Sequence, residues 1–201
     1  MPRVLTPEAV SEFREKLLEV TQKLFADLGE AGVTMREIAT QLNVSPMTPY
    51  RYFKGKEEIL AAARARAYTQ FAQSLEDAYA KPGNPLEKAA ATGEAYIRFA
   101  LEKPSTYRLM FDIADHETDK FPELEDAEKR ARLTMTRHIP ALIEAGYYEG
   151  DPVLIGHVFW VMLHGAVTLQ LSGKLGPECD LRKILDGAFT ALGEGFKPKG
   201  S

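Results

Sequence analysis

Apolar residues recur at intervals of three and four along most of the chain, and the elements they predict are helices. Val10, Phe13, Leu17, Val20, Leu24 and Leu28 lay one apolar stripe along a first helix over about Pro7–Leu28, which Gly29 stops. Ile38, Ala39 and Leu42 mark a short second helix. Leu60, Ala63, Ala67, Phe71, Leu75 and Ala78 carry a long one from about Lys56 to Tyr79. Lys81-Pro82-Gly83-Asn84-Pro85 breaks the pattern. A helix from about Leu86 to Glu102 follows, and Pro104 restarts a short one through Tyr107, Met110 and Phe111. Asp112 to Phe121 is acidic and polar and reads as a loop. Pro122 opens a helix to about Ala145, in which Pro140 predicts a kink. Gly146 ends it, and Gly150-Asp151-Pro152 turns the chain into the next.

Val153 to Leu171 holds no Asp, Glu, Lys or Arg. Its length would suit a membrane span, but His157, His164 and Gln170 are polar and the flanks lack an anchor pattern. The reading taken is a helix buried inside the protein, with Gly156 and Gly165 permitting close approach of another helix. The last helix, about Leu181–Leu192, puts Leu181, Ile184, Leu185, Ala188, Phe189 and Leu192 on one face. The fold class is therefore all-α, with a small N-terminal domain over 1–56 and a larger helical domain over 57–201. The Lys56–Tyr79 helix is the expected link between them.

Start and stop signals sharpen the segment from Thr34 to Phe53. Thr34 and Glu37 form a T-x-x-E capping box. Asn43, after the last apolar position, tolerates the left-handed backbone that ends a helix. Ser45 is a second N-cap and Pro46 suits the first helical position. Two short helices with a tight corner result, with Val44 and Phe53 pointing inward. A plain three-helix corner and a DNA-reading helix-turn-helix share this layout.

Charge favours the second. The chain carries −4 over 201 residues, yet Thr34 to Lys56 holds Arg36, Arg51, Lys54 and Lys56 against Glu37 alone, or +3, leaving −7 elsewhere. Met47, Thr48, Tyr50, Arg51 and Tyr52 lie on the outward face. Their hydroxyl and guanidinium groups suit phosphate oxygens, and Thr or Met suits a thymine methyl.

The run from Phe13 to Leu60 resembles the DNA-binding domain of the tetracycline-repressor (TetR) family. The likeness rests on Leu24-Phe25-Ala26-Asp27-Leu28-Gly29, Gly32-Val33-Thr34-Met35-Arg36-Glu37-Ile38-Ala39, Val44-Ser45, Tyr50-Arg51-Tyr52-Phe53 and Lys56-Glu57-Glu58-Ile59-Leu60. Trp160 with His164-Gly165 resembles the Trp-x-x-x-His-Gly signature of one C-terminal subgroup. The resemblance implies a two-fold dimer that represses transcription from a palindromic operator until a small ligand binds the C-terminal domain. It implies phosphate contacts from Tyr50, Tyr52 and Lys56, and base-facing positions at Pro46, Met47 and Thr48. Thr34, Arg36, Ser45 and Arg51 complete the expected DNA-binding set. Pro49 departs from the family's usual aliphatic residue, removes a backbone donor and biases Thr48 away from the helical region. With Pro46, Met47 and Pro49 in the reading element, specificity is expected to lean on apolar contacts, backbone groups and DNA shape. An element that no longer reads DNA is the alternative that Pro49 raises.

A ligand cavity is expected among the middle helices, lined by Phe71, Tyr96, Phe99, Met110, Phe111, Met135, His138, Phe159, Met162 and Leu163, for an unidentified apolar or aromatic effector. These residue types are also ordinary core. The last two helices are the expected dimer surface, through Phe159, Trp160, Leu163, Val167, Leu181, Ile184, Leu185, Ala188, Phe189 and Leu192. No cofactor or metal is expected: His157 and His164 are two turns apart, about 10 Å along one helix, too far to share an ion. No catalytic motif of an enzyme is found. Cys179, the single cysteine, is flanked by Glu178 and Asp180 and fits a reducing compartment. The N-terminus has no apolar signal core, so a cytoplasmic protein with no membrane partner is expected.

Overall fold

The computed structural model describes residues 6–111 and 120–199. The acidic stretch expected as a loop at 112–121 falls almost wholly outside them. The described residues form helices α1 (Pro7–Gly32), α2 (Met35–Gln41), α3 (Lys56–Tyr79), α4 (Pro85–Glu102), α5 (Pro104–Phe111), α6 (Pro122–Thr136), α7 (Ile139–Glu144), α8 (Pro152–Leu171) and α9 (Leu181–Gly195), with a 3₁₀ turn at Pro49–Arg51 and no strand. The chain divides into two compact units, residues 1–68 with 105–128 and residues 69–104 with 129–201. The division thus falls inside α3 and not at its start at residue 56, and the first unit also takes α5 and the start of α6.

Packing explains that division. In the first unit Ala61 and Ala65 of α3 bury against Leu124 and Ala127 of α6, with Tyr68 and Phe121 at the rim. The Tyr68 hydroxyl donates to the Met110 carbonyl at 2.8 Å. The Gln22 amide of α1 donates to the Thr106 hydroxyl of α5. Arg64, almost fully buried, pairs with Glu128 at 3.2 Å. These bonds are made by residues far apart in sequence, which is why no local signal announced them.

The buried side of α1 is Leu17, Leu18, Thr21, Leu24 and Phe25. Leu28, expected on the same stripe, is 59% exposed. Gly29 at φ +68° turns the chain out of the helix there. A further turn to Gly32 follows, where an added Cβ would lie 2.2 Å from the Leu28 Cβ. Only glycine fits under that side chain.

In the second unit Phe71 meets the rings of Tyr96 and Phe99 edge-on, at 5.2 and 5.3 Å. Arg130 donates to the Glu76 carboxylate at 3.0 Å, holding that carboxyl below its usual range. Ile139, Leu142, Ile155 and Phe159 form a separate cluster, which Met162, Phe189, Leu192 and Phe196 extend. The expected kink at Pro140 is a full break: α6 stops at Thr136 and α7 starts with Pro140 in its first turn. Proline lacks the N–H that would have continued the ladder. Gly156 sits where a Cβ would be 2.7 Å from Thr136 Cγ2, so α8 packs hard against the end of α6. By length and composition α8 could cross a membrane; here it packs Ile155, Gly156, Phe159, Leu163, Ala166 and Val167 into the unit. Val153, Leu154, Val161 and Leu169 on α8 stay exposed.

Candidate functional site

α2 is held by its own caps. The Thr34 hydroxyl accepts from the Glu37 N–H at 3.1 Å. At the other end Asn43 adopts φ +52°. Its N–H donates to the Thr40 carbonyl and that of Val44 to the Ala39 carbonyl, both at 3.0 Å. This pair of bonds is the Schellman closure that a left-handed residue permits. Met35, Ile38 and Ala39 bury the inner face.

The next element is not the α-helix that Ser45 and Pro46 predict. Thr48 N–H donates to the Ser45 carbonyl at 2.8 Å, Arg51 N–H to Thr48 at 3.1 Å and Tyr52 N–H to Pro49 at 3.0 Å. These are i to i+3 bonds, and the only helical residues are the 3₁₀ turn Pro49–Arg51. In an α-helix the residue 49 N–H would take the Ser45 carbonyl; proline has none, so the Thr48 N–H takes it. Thr48 itself stays in the right-handed helical region at φ −64°, ψ −46°, against the bias expected of a residue before proline. Pro49 is buried in the place where an aliphatic side chain was expected.

The outward groups remain displayed. Thr34, Arg36, Ser45, Pro46, Met47, Tyr50 and Arg51 are exposed, with Met47 at 68%; Thr48, Tyr52 and Lys56 are half-buried. The Lys56 ammonium donates to the Glu30 carbonyl at 2.7 Å, which spends one of its three donors. Phe53 is buried as expected, whereas Val44 is only half-buried. Arg14 of α1 was not foreseen. Its guanidinium lies 4.3 Å from the Phe53 ring centre and donates to the Tyr52 carbonyl at 3.0 Å, while Phe13 packs on Tyr52 at 5.0 Å. Together they fix the end of the reading element to α1. Phe13 was legible as an apolar position; the neighbouring Arg14 gave no signal.

The second unit contains a half-open cavity of about 550 Å³. Of the residues expected to line it, Tyr96, Met135, His138, Phe159 and Leu163 do so. Phe71 and Phe99 form the aromatic core with Tyr96, and Met162 packs on the Ile139 cluster. Met110 and Phe111 belong to the first unit, so they leave the set. Several residues expected at a dimer surface face inward. Phe159, Trp160, Leu163, Leu185 and Phe189 line the cavity, Val167 is fully buried, and Leu192 packs on the Ile139 cluster. Leu181, Ile184 and Ala188 keep partial exposure. Periodicity gave the apolar face of α9 correctly but not what that face meets.

The polar groups of the cavity wall fall into two kinds. Its charged side chains, Glu94, Arg182, Asp186, Glu194 and Lys197, are paired with one another. Arg182 bridges Glu94 and, at 3.4 Å, Asp186; Lys197 pairs with Glu194. The uncharged kind includes His138 and Trp160, whose Nδ1 and Nε1 atoms are sealed without a hydrogen-bond partner. Burial, aided by the neighbouring charge of Arg137, pushes the His138 imidazole down to about 4, so it is neutral at ordinary pH. Burial likewise raises the Tyr148 phenol. His164 Nδ1 lies 3.4 Å from the Tyr96 hydroxyl, and His157 Nδ1 donates to the Val153 carbonyl at 2.7 Å. Neither joins a metal-ligand cluster among the described residues.

Comparison with known proteins agrees with both halves. The family model "Bacterial regulatory proteins, tetR family" matches residues 17–63, and "Tetracyclin repressor-like, C-terminal domain" matches residues 89–192. The HTH-type transcriptional repressor KstR of Rhodococcus jostii (strain RHA1) is 36% identical over 174 residues, 82% of this chain and 80% of that one. A protein of unknown function from Rhodococcus sp. RHA1 has the same fold at TM-score 0.80 and 22% identity, covering 92% of this chain and 95% of its own. The ketosteroid transcriptional regulator KstR2 of Mycobacterium tuberculosis does so at TM-score 0.65 and 20% identity, covering 93% and 96%. The chain belongs to the tetracycline-repressor family: it is a DNA-binding transcriptional regulator with a helix-turn-helix and is not an enzyme.

Proposed function

We propose that this regulator is a cytoplasmic, homodimeric repressor that sits on a palindromic operator and is released when a small apolar or aromatic molecule enters the cavity of its second unit. The observation that carries the reading is one chain holding both an exposed cationic helix-turn-helix and a preformed, mostly apolar cavity of drug-like size. Release requires only that the ligand favour a state of lower DNA affinity; DNA then lowers ligand affinity by the same factor.

Tyr50, Tyr52 and Lys56 are assigned to phosphates with Thr34, Arg36, Ser45 and Arg51 around them, and Pro46, Met47 and Thr48 to the bases. The reading element offers the bases few bidentate donors, which supports recognition through apolar contact and DNA shape. Half-sites should lie about one helical turn, roughly 34 Å, apart. The dimer surface is assigned to the open side of α8, along Val153, Leu154, Val161 and Leu169, with Leu181, Ile184 and Ala188 of α9 beside it. Gly165, with nothing within 4 Å of an added Cβ, leaves room there for a partner helix. The Trp160, His164 and Gly165 spacing supports placement in the Trp-His-Gly subgroup.

The test is light scattering of the purified protein together with a gel shift on a palindrome upstream of its gene. A two-chain mass and one retarded species with two chains per duplex are expected. A strict monomer at micromolar concentration contradicts the proposal.

A further inference from the structure

The chemistry of the cavity wall goes further than size. Five charged side chains line it, and each has its opposite partner in the same wall. Three are acids and two are bases, and all five are solvent-exposed, so the buried part of the lining carries no charged side chain and no cation for a carboxylate, sulfate or phosphate. The exposed pairs cost little to rearrange, but an anionic group held among the buried lining would have its charge unmatched, which is costly away from water. The remaining polar groups are neutral. His138 is the first residue before α7, yet its side chain makes no capping bond. Its Nδ1 is sealed and unpartnered. Nδ1 is unsatisfied in either tautomer, and the one that leaves it unprotonated puts the proton on Nε2, the nitrogen left to meet whatever fills the cavity. The indole N–H of Trp160, on the same wall, is also a donor without a partner.

We propose that the cavity selects an uncharged, predominantly apolar molecule bearing a hydrogen-bond acceptor such as a ketone or ester carbonyl, received by the Nε2–H of His138. The proposal rests on the reading of this cavity as the effector site. It excludes free carboxylates and phosphorylated compounds as the preferred ligand.

The probe is 6-propionyl-2-(dimethylamino)naphthalene, a neutral ketone whose emission moves to the red when its carbonyl accepts a hydrogen bond. It is titrated into the protein at pH 7.5. Saturable binding is expected. His138→Phe should weaken it about tenfold and shift the bound emission to the blue, as loss of one well-placed hydrogen bond to a buried group does. His138→Gln, which keeps an N–H donor, should stay within about threefold of the parent. Thermal melting of both variants identifies a fold defect, and the Gln variant then carries the comparison. In displacement, 2-acetylnaphthalene should outcompete 2-naphthoate at least tenfold. Equal or better displacement by 2-naphthoate, unchanged affinity and emission in His138→Phe, or no saturable binding of the probe overturns the proposal. Repeating the titration with operator DNA separates the two readings. Ketone-selective binding that leaves DNA affinity unchanged upholds the ligand class and removes the effector role. Naphthoate-selective binding that releases DNA does the reverse.

Discussion

The helix-turn-helix and the cavity handle charge in opposite ways. Around the reading element the side chains of Arg36, Arg51 and Lys54 are exposed, and none forms a salt bridge among the described residues; the Glu58 carboxylate accepts from the Lys54 backbone N–H. Around the cavity every charged side chain is matched by another in the wall. An unpaired exposed cation costs little in water and gains when it displaces counterions from a phosphate. Those paired charges are themselves solvent-exposed, and a charge carried into the buried, uncharged part of the cavity would find no partner there, which is costly. One region is therefore prepared for a polyanion and the other for a neutral molecule, and a single chain of net charge −4 supports both because the positive charge is local.

The comparison breaks first at the cavity if its wall is loosened. Leu185, 1% exposed, supports both the cavity and α9. Leu185→Ala should cost about 2–5 kcal/mol of stability, read by urea or thermal melting, while the helix-turn-helix surface is left unchanged. On the DNA side, Arg36→Ala with Arg51→Ala should lower operator affinity about a hundredfold at low salt. It should also reduce the slope of log affinity against log salt by about 2. An unchanged slope would mean that neither cation meets a phosphate.

Acid tests the neutral character of the cavity. The His138 imidazole sits near 4 in the folded protein against an ordinary 6.5. Between those values the unfolded chain binds a proton that the folded chain refuses, so stability falls as pH drops from about 6.5 to 4; above 6.5 the group contributes nothing. The loss should amount to roughly 2–3 kcal/mol, and His138→Gln should flatten that part of the stability–pH curve. The smallest effect is at the corner of the helix-turn-helix. Asn43 holds φ +52°, so Asn43→Gly should raise stability by no more than about 1 kcal/mol and leave DNA affinity unchanged.

How far the sequence carried each region follows from the range of its determinants. α2 was readable because its signals are local: Thr34 three residues before Glu37, Asn43 just past Leu42. The second element misled because two local rules conflict. Ser45 and Pro46 announce a helix, and Pro49 then removes the donor that its first full turn needs, leaving a 3₁₀ turn. The cavity was only half-readable. Tyr96, Met135, His138, Phe159 and Leu163 were assigned to it, but Leu185 and Phe189 were given to a partner chain, because an apolar stripe does not say whether it meets its own fold or a second copy. Arg14, Arg64 and the Glu94–Arg182 pair of the wall depend on contacts between residues tens of positions apart, which no window of sequence contains.

The Thr34–Lys56 surface is assigned to duplex DNA through its phosphates. The most direct measurement is fluorescence anisotropy of a labelled promoter palindrome titrated with the protein between 50 and 200 mM salt. Saturable binding is expected that weakens steeply with salt, by about 10³-fold or more across that range for six or more neutralised phosphates. Binding that ignores salt, or none at 50 mM, would contradict the assignment.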